Sequence, residues 1–149
     1  MTTNTTETGS SISNELLTIY QGSDYRVIDE GGGEFVMHID VPCPELKALM
    51  VRQEAATALF ISAWNPASVL RSDADNQAAQ YQLEAQLKAQ GNQVFYGIGE
   101  DPQGDCPGEP CLLALNWSRS DALALARHYG QNAILWMEAD GVPRLLLSR

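Results

Sequence analysis

Four short blocks of the chain hold side chains that could do chemistry. They are Trp64-Asn65-Pro66, Asn76, Glu109-Pro110 and Gln131-Asn132. The set is amides, one indole and one carboxylate, which hold a polar, uncharged ligand such as a base or an amide rather than attack it. Pro66 bars Asn65 from the helical region and so fixes its direction. Trp64 offers a flat wall for a ring, or simply covers a sheet edge. Glu109 is read three ways: a general acid or base, a partner for a cationic group, or a solvated loop acid. Gln131-Asn132 follows Gly130, so it is either a donor–acceptor pair at a sheet end or a plain helix-stopping turn.

Asn76 needs its helix to be understood. Successive helical residues turn by about 100°, which puts Leu83 and Leu87 on one stripe with Asn76, and Gln80 interrupts that stripe. The opposite face holds Ala74, Ala78, Tyr81 and Ala85. Two leucines remove more apolar area from water than alanines do, so the leucine stripe faces the core and Asn76 points inward. A buried amide without partners costs about 1–3 kcal/mol, so Asn76 must bond something. The nearest chain is the preceding loop, and the plainer role is to pin that loop.

Other chemistries lack their residues. Gly97-Ile98-Gly99 has no following Lys-Ser/Thr, and Glu100, Asp101 and Asp105 would repel phosphate. The acidic run lacks the calcium-loop pattern. Cys106 and Cys111 have no second ligand pair for zinc, and His38 and His128 lie far off in sequence. Ser62 and Ser68 flank the Trp64 block with no base nearby. No metal and no cofactor is expected.

These residues sit on a legible series of elements. Glu15–Tyr20 reads as a short amphipathic helix, with Ser13-Asn14 before it as the cap. Tyr25–Ile28 and Glu34–Ile39 flank Gly31-Gly32-Gly33 as a hairpin. Glu45–Arg52 is a short helix, and Thr57–Ala63 is apolar enough for a strand covered on both faces. Ser72 with Asp75, and Ser118 with Asp121, are spaced as helix caps. Those helices run to about Gln90 and to Tyr129. Strands follow over 93–98, 111–116, 133–138 and 144–147, the last after an Asp140-Gly141 turn. The order predicts an α+β domain: a mainly antiparallel sheet with two main helices on one face. A ferredoxin-like split βαβ arrangement with an added N-terminal hairpin fits it, and another α+β sandwich is the alternative. The edge at Arg144 leaves room for a dimer, which nothing else supports.

Residues 1–13 are rich in Thr, Ser, Asn and Gly and read as a disordered tail before a single domain over 14–149. They have neither the basic nor the apolar part of a signal peptide, and no apolar run is long enough to span a membrane. An odd count of three cysteines argues against a secreted disulfide framework, so a cytoplasmic protein with free thiols is expected. Hydrophobic residues at 44% against 19% charged describe a globular chain. Lys+Arg at 9 against Asp+Glu at 19 leaves a charge of -10, which disfavours nucleic acid and anionic membranes.

The blocks Ala63-Trp64-Asn65-Pro66-Ala67-Ser68, Asp75-Asn76, Gly97-Ile98-Gly99, Glu109-Pro110 and Gly130-Gln131-Asn132-Ala133 stand in the order of one family. The chain resembles the bacterial domain-of-unknown-function family 3293 over Tyr20–Leu147. Asp75 stands where that family favours Glu. Cys106 and Cys111 stand where it favours an aromatic and a small residue, which weakens a thiol mechanism. The resemblance implies a small cytoplasmic bacterial domain, and it supplies no activity, substrate or cofactor.

Three functions remain in view. One is a binding module whose site is Trp64, Asn65, Asn76, Glu109, Gln131 and Asn132 at one end of the sheet, with Glu109 as acid or base if it is an enzyme. The second is an acidic regulatory or adaptor protein steered by its charge to a basic protein partner. In the third, the polar blocks are internal struts joining loops to the sheet.

Overall fold

The computed structural model describes residues 12–29, 33–91, 93–104 and 108–149. The tail expected over 1–13 lies outside them up to residue 11, as do the hairpin tip at 30–32 and the loop position of Cys106. Among the described residues the elements run α1 (Asn14–Gly22), β1 (Asp24–Asp29), β2 (Gly33–Met37), α2 (Pro44–Arg52), β3 (Ala58–Ile61), α3 (Asp73–Ala89), β4 (Val94–Glu100), β5 (Glu109–Leu115), α4 (Arg119–His128), β6 (Ala133–Met137) and β7 (Arg144–Leu147). The seven strands form one antiparallel sheet in the order β2-β1-β4-β5-β3-β6-β7, curled into a half-barrel. The N-terminal hairpin extends the sheet through β1, which pairs with β4.

Local chemistry sets the helix boundaries. The hydroxyl oxygens of Ser13, Ser72 and Ser118 accept the amides of Leu16, Asp75 and Asp121, each at 3.1 Å, satisfying a donor that the first turn leaves open. Pro44 occupies the first turn of α2, where its missing N–H costs nothing.

β3 is buried along its whole length because both of its faces are covered. On one face Leu83 and Leu87 of α3, with Ala122, Leu125, Ala126 and Tyr129 of α4, pack on Leu59, Ile61, Leu112, Ala114, Ile134 and Trp136. These are the two helices expected on one face, and Tyr81, on the side away from the stripe, is exposed. The other face is not left to solvent. Leu46, Leu49 and Met50 of α2 cover Ala58, Phe60, Leu113, Leu135 and Met137, and Tyr20 of α1 and Tyr25 pack at the margin of that cluster. The second face needs this cover because the alternate residues of β3, β5 and β6 are also apolar, and bare they would expose a large apolar patch.

No helix among the described residues is long and apolar enough to cross a membrane.

Candidate functional site

The antiparallel register brings the polar blocks to one end of the sheet. Ser62 to Asn65 continue from the end of β3, Gly99 to Asp101 end β4, Glu109 begins β5, and Gln131-Asn132 lead into β6. Tyr25, Gly99 and Glu109 lie directly opposite one another across β1, β4 and β5. Directly opposed residues share a face. This row therefore looks onto the α1–α2 side, with Phe60, Cys111 and Leu135.

Here a cavity of about 230 Å³ opens between the sheet and α1. Its apolar walls include Leu16, Ile19 and Tyr20 from α1, and Tyr25, Phe60 and Leu135 from the sheet. Its polar lining is Ser23, Ser62, Asn65, Ser68, Asp101, Glu109, Gln131 and Asn132. Gly99 lies in the centre of the opposed row. The absence of a side chain there leaves space between Tyr25 and Glu109, and a Cβ would stand 3.7 Å from both Tyr25 and Cys111.

Asn65, Glu109, Gln131 and Asn132 line this cavity, whereas Trp64 and Asn76 do not. Asn76 is buried behind the wall. Its Oδ1 accepts the Asn65 amide at 2.8 Å and Arg71 Nε at 2.8 Å, and its Nδ2 donates to Asn65 Oδ1 at 2.8 Å. Trp64 is half-buried. Its carbonyl accepts Gln131 Nε2 at 3.2 Å, and its amide donates to Ser62 Oγ at 3.0 Å.

The loop from Asn65 is bent hard. Asn65, Ala67 and Ser68 all take positive φ, at 43°, 56° and 62°. Pro66 does keep Asn65 out of the right-handed helical region, but the residue settles in the left-handed one rather than in extended backbone. Non-glycine residues rarely hold that conformation unless their surroundings impose it. Asn76 and Arg71 hold the loop from one side. Gly130, whose carbonyl accepts the Ala67 amide at 2.7 Å, holds it from the other.

Much of the amide capacity is spent within the wall. Asn132 Nδ2 donates to Tyr20 Oη at 3.1 Å and to Ser68 Oγ at 3.2 Å, and its Oδ1 accepts Arg149 at 3.3 Å. The carboxylates are less engaged. Glu109 lies on β5 itself, not in a solvated loop, and takes one long hydrogen bond, from Asn65 Nδ2 at 3.5 Å. Burial raises its pKa above the ordinary carboxylate value, and the Asn65 bond opposes this only in part. Asp101 Oδ1 accepts the Gln103 amide at 2.9 Å, while its Oδ2 is sealed from solvent with no partner among the described residues.

Burial pushes the Cys111 thiol up, and the neighbouring Glu109 charge adds to the shift, which disfavours the reactive thiolate. Ser62 is engaged as well: its hydroxyl donates to the Pro110 carbonyl at 2.8 Å. No group of three His, Cys, Asp or Glu residues placed to hold a metal ion occurs among the described residues.

Three participants were not assigned to the site from the residues alone. Tyr20 reaches the cavity from α1. Ser62 and Gln80 brace its rim, with Gln80 accepting the Ala63 amide at 2.9 Å and donating to the Pro110 carbonyl at 3.2 Å. The signals were present: Gln80 interrupts the leucine stripe, and Ser62 continues the alternation of Ala58 and Phe60.

Fold and cavity together define a small α+β domain with a partly apolar pocket at one end of a curled sheet. Residues 61–134 match the family model described as "Protein of unknown function (DUF3293)", and over that stretch the chain belongs to this family. The match is narrower than the Tyr20–Leu147 span of the resemblance. It takes in all the polar blocks but not α1, β1, β2, α2 or β7. No curated protein and no solved structure matches the chain.

Proposed function

We propose that the protein binds a small organic molecule in the cavity beneath α1. The observation that carries this reading is the convergence of Asn65, Glu109, Gln131 and Asn132 on one partly apolar cavity, from separate parts of the chain. At about 230 Å³ it is smaller than the usual drug-sized pocket of roughly 300–1,000 Å³, which favours a fragment-sized ligand. Trp64 and Asn76 then serve as supports, holding the loop that carries Asn65. Glu109 as a general acid or base is the catalytic alternative in the same cavity, and Glu109→Gln would abolish turnover of any substrate found. The strand order β4-β5-β3-β6, with helices after β3 and β5, supports reading the centre of the sheet as a ferredoxin-like unit.

The test is ligand-observed NMR with a fragment library on the wild type and on Ala133→Leu, which places a larger apolar side chain at the cavity wall. Fragments that bind the wild type, compete with one another and lose binding in the variant support the reading. An absence of binders, or binders indifferent to Ala133→Leu, would remove it.

A further inference from the structure

We propose that the ligand of this cavity is an organic cation: a small amine with an apolar, preferably aromatic body. This rests on the binding reading above and names the ligand's chemistry.

The charge of the lining is one-sided. Asp101 and Glu109 both border the cavity, and among the described residues no Lys, Arg or His does. The guanidinium of Arg149 bonds Asn132 Oδ1 and that of Arg71 bonds Asn76 Oδ1 and the Ala63 carbonyl, and neither arginine is part of the lining. Neither carboxylate has an ion-pair partner among the described residues. Glu109 takes only the long bond from the neutral Asn65, and Asp101 Oδ2 is sealed off without a partner among the described residues. Glu109, with one long bond at the cavity wall, keeps acceptor capacity for a donor that enters the cavity. A protonated amine brings up to three donors and the opposite charge.

The rest of the lining suits the body of such a molecule. Tyr20, Tyr25 and Phe60 border the same space, with Tyr25 edge-on to Phe60 at 5.9 Å between ring centres. Aromatic rings attract cations as well as apolar surface. A bare divalent ion fits less well, because it takes six or more oxygen ligands and would face these aliphatic and aromatic walls. The chain's charge of -10 would draw a cation toward the protein from solution. Leu70, 79% exposed at the cavity's border and next to the strained Asn65–Ser68 loop, supplies apolar surface that can lie over the bound molecule.

The probes are three compounds of similar shape: 2-phenylethylamine, 2-phenylethanol and 3-phenylpropionate. Each is titrated into the wild type, Glu109→Gln and Asp101→Asn, and binding is followed by protein-observed NMR, which also confirms that the variants are folded. The amine should bind at least tenfold more tightly than the alcohol, and the carboxylate more weakly than both. Each variant should reduce the preference for amine over alcohol several-fold. An alcohol that binds as tightly as the amine, or an amine preference that survives both substitutions, overturns the cation assignment and leaves the pocket reading standing. The same holds if none of the three binds while library fragments do. If neither these probes nor any library fragment binds the cavity, the pocket reading itself falls.

Discussion

Asn65 and Asn76 bond each other twice. The Asn76 Oδ1 accepts the Asn65 backbone amide and its Nδ2 donates to the Asn65 side-chain oxygen, both at 2.8 Å. A residue in the first turn of α3 thereby holds a left-handed residue eleven positions earlier, at the cavity wall. Replacing Asn76 with leucine would continue the Leu83–Leu87 stripe, yet it strands the Asn65 backbone amide and one Arg71 contact and takes one of two donors from Asn65 Oδ1. Unpaired buried groups cost about 1–3 kcal/mol each. Asn76→Leu should therefore lose about 2 kcal/mol, which in a chain of this size lowers the melting midpoint by roughly 4–8 °C. A thermal melt with an unchanged or raised midpoint would remove the strut role.

What was legible in the sequence is what local geometry decides. The Ser72 and Ser118 caps act over three residues, so spacing alone identifies them. The inward aim of Asn76 follows from helical rotation. The cover on the second face was not legible, because it depends on distant partners: Tyr20 meets Asn132 across 112 positions. Gln80 reads as a flaw in its stripe until the ends of β3 and β5 are known to lie opposite it. Proline at 66 excludes one backbone region for Asn65 but does not choose among the rest. That choice is made by Asn76 and by the Gly130 carbonyl holding the next turn.

Glu109 makes stability depend on pH. In the unfolded chain its carboxyl loses its proton near the ordinary value of 4.5, whereas burial raises the folded-state value. Between the two the folded protein holds more protons, so stability falls as pH rises through that window. Glu109→Gln has no such titration. The stability of the variant relative to wild type should grow as pH rises from 4.5 and level off above the raised value. Urea unfolding across a pH series measures this, and parallel curves for the two proteins would contradict it.

Gly97 and Gly99 look alike in sequence but face different surroundings. A Cβ on Gly97 would meet the Arg26 carbonyl oxygen and the Phe60 ring, each at 2.6 Å, while on Gly99 its nearest neighbours stand at 3.7 Å. The first contact involves backbone and cannot be relieved by a rotamer change. Gly97→Ala should cost about 1–3 kcal/mol, as overpacking does, and Gly99→Ala should stay within about 0.5 kcal/mol of wild type. Denaturant midpoints compare them directly. Equal losses would mean that β4 shifts to accommodate either methyl.

Cys111 should be chemically silent in the folded protein. Its thiol is buried at the cavity floor, and only the thiolate reacts with alkylating reagents. Burial is the largest cause of its raised pKa and the Glu109 charge a smaller one, so removing that charge should not expose it to attack. Peptide mass spectrometry after iodoacetamide treatment should find Cys111 unmodified in native wild type and in native Glu109→Gln, and fully modified once the chain is unfolded in urea. Modification in both native proteins would mean that the cavity floor opens to solvent on the timescale of the reaction. If only the Glu109→Gln protein were modified, the carboxylate rather than burial would be what restrains the thiol.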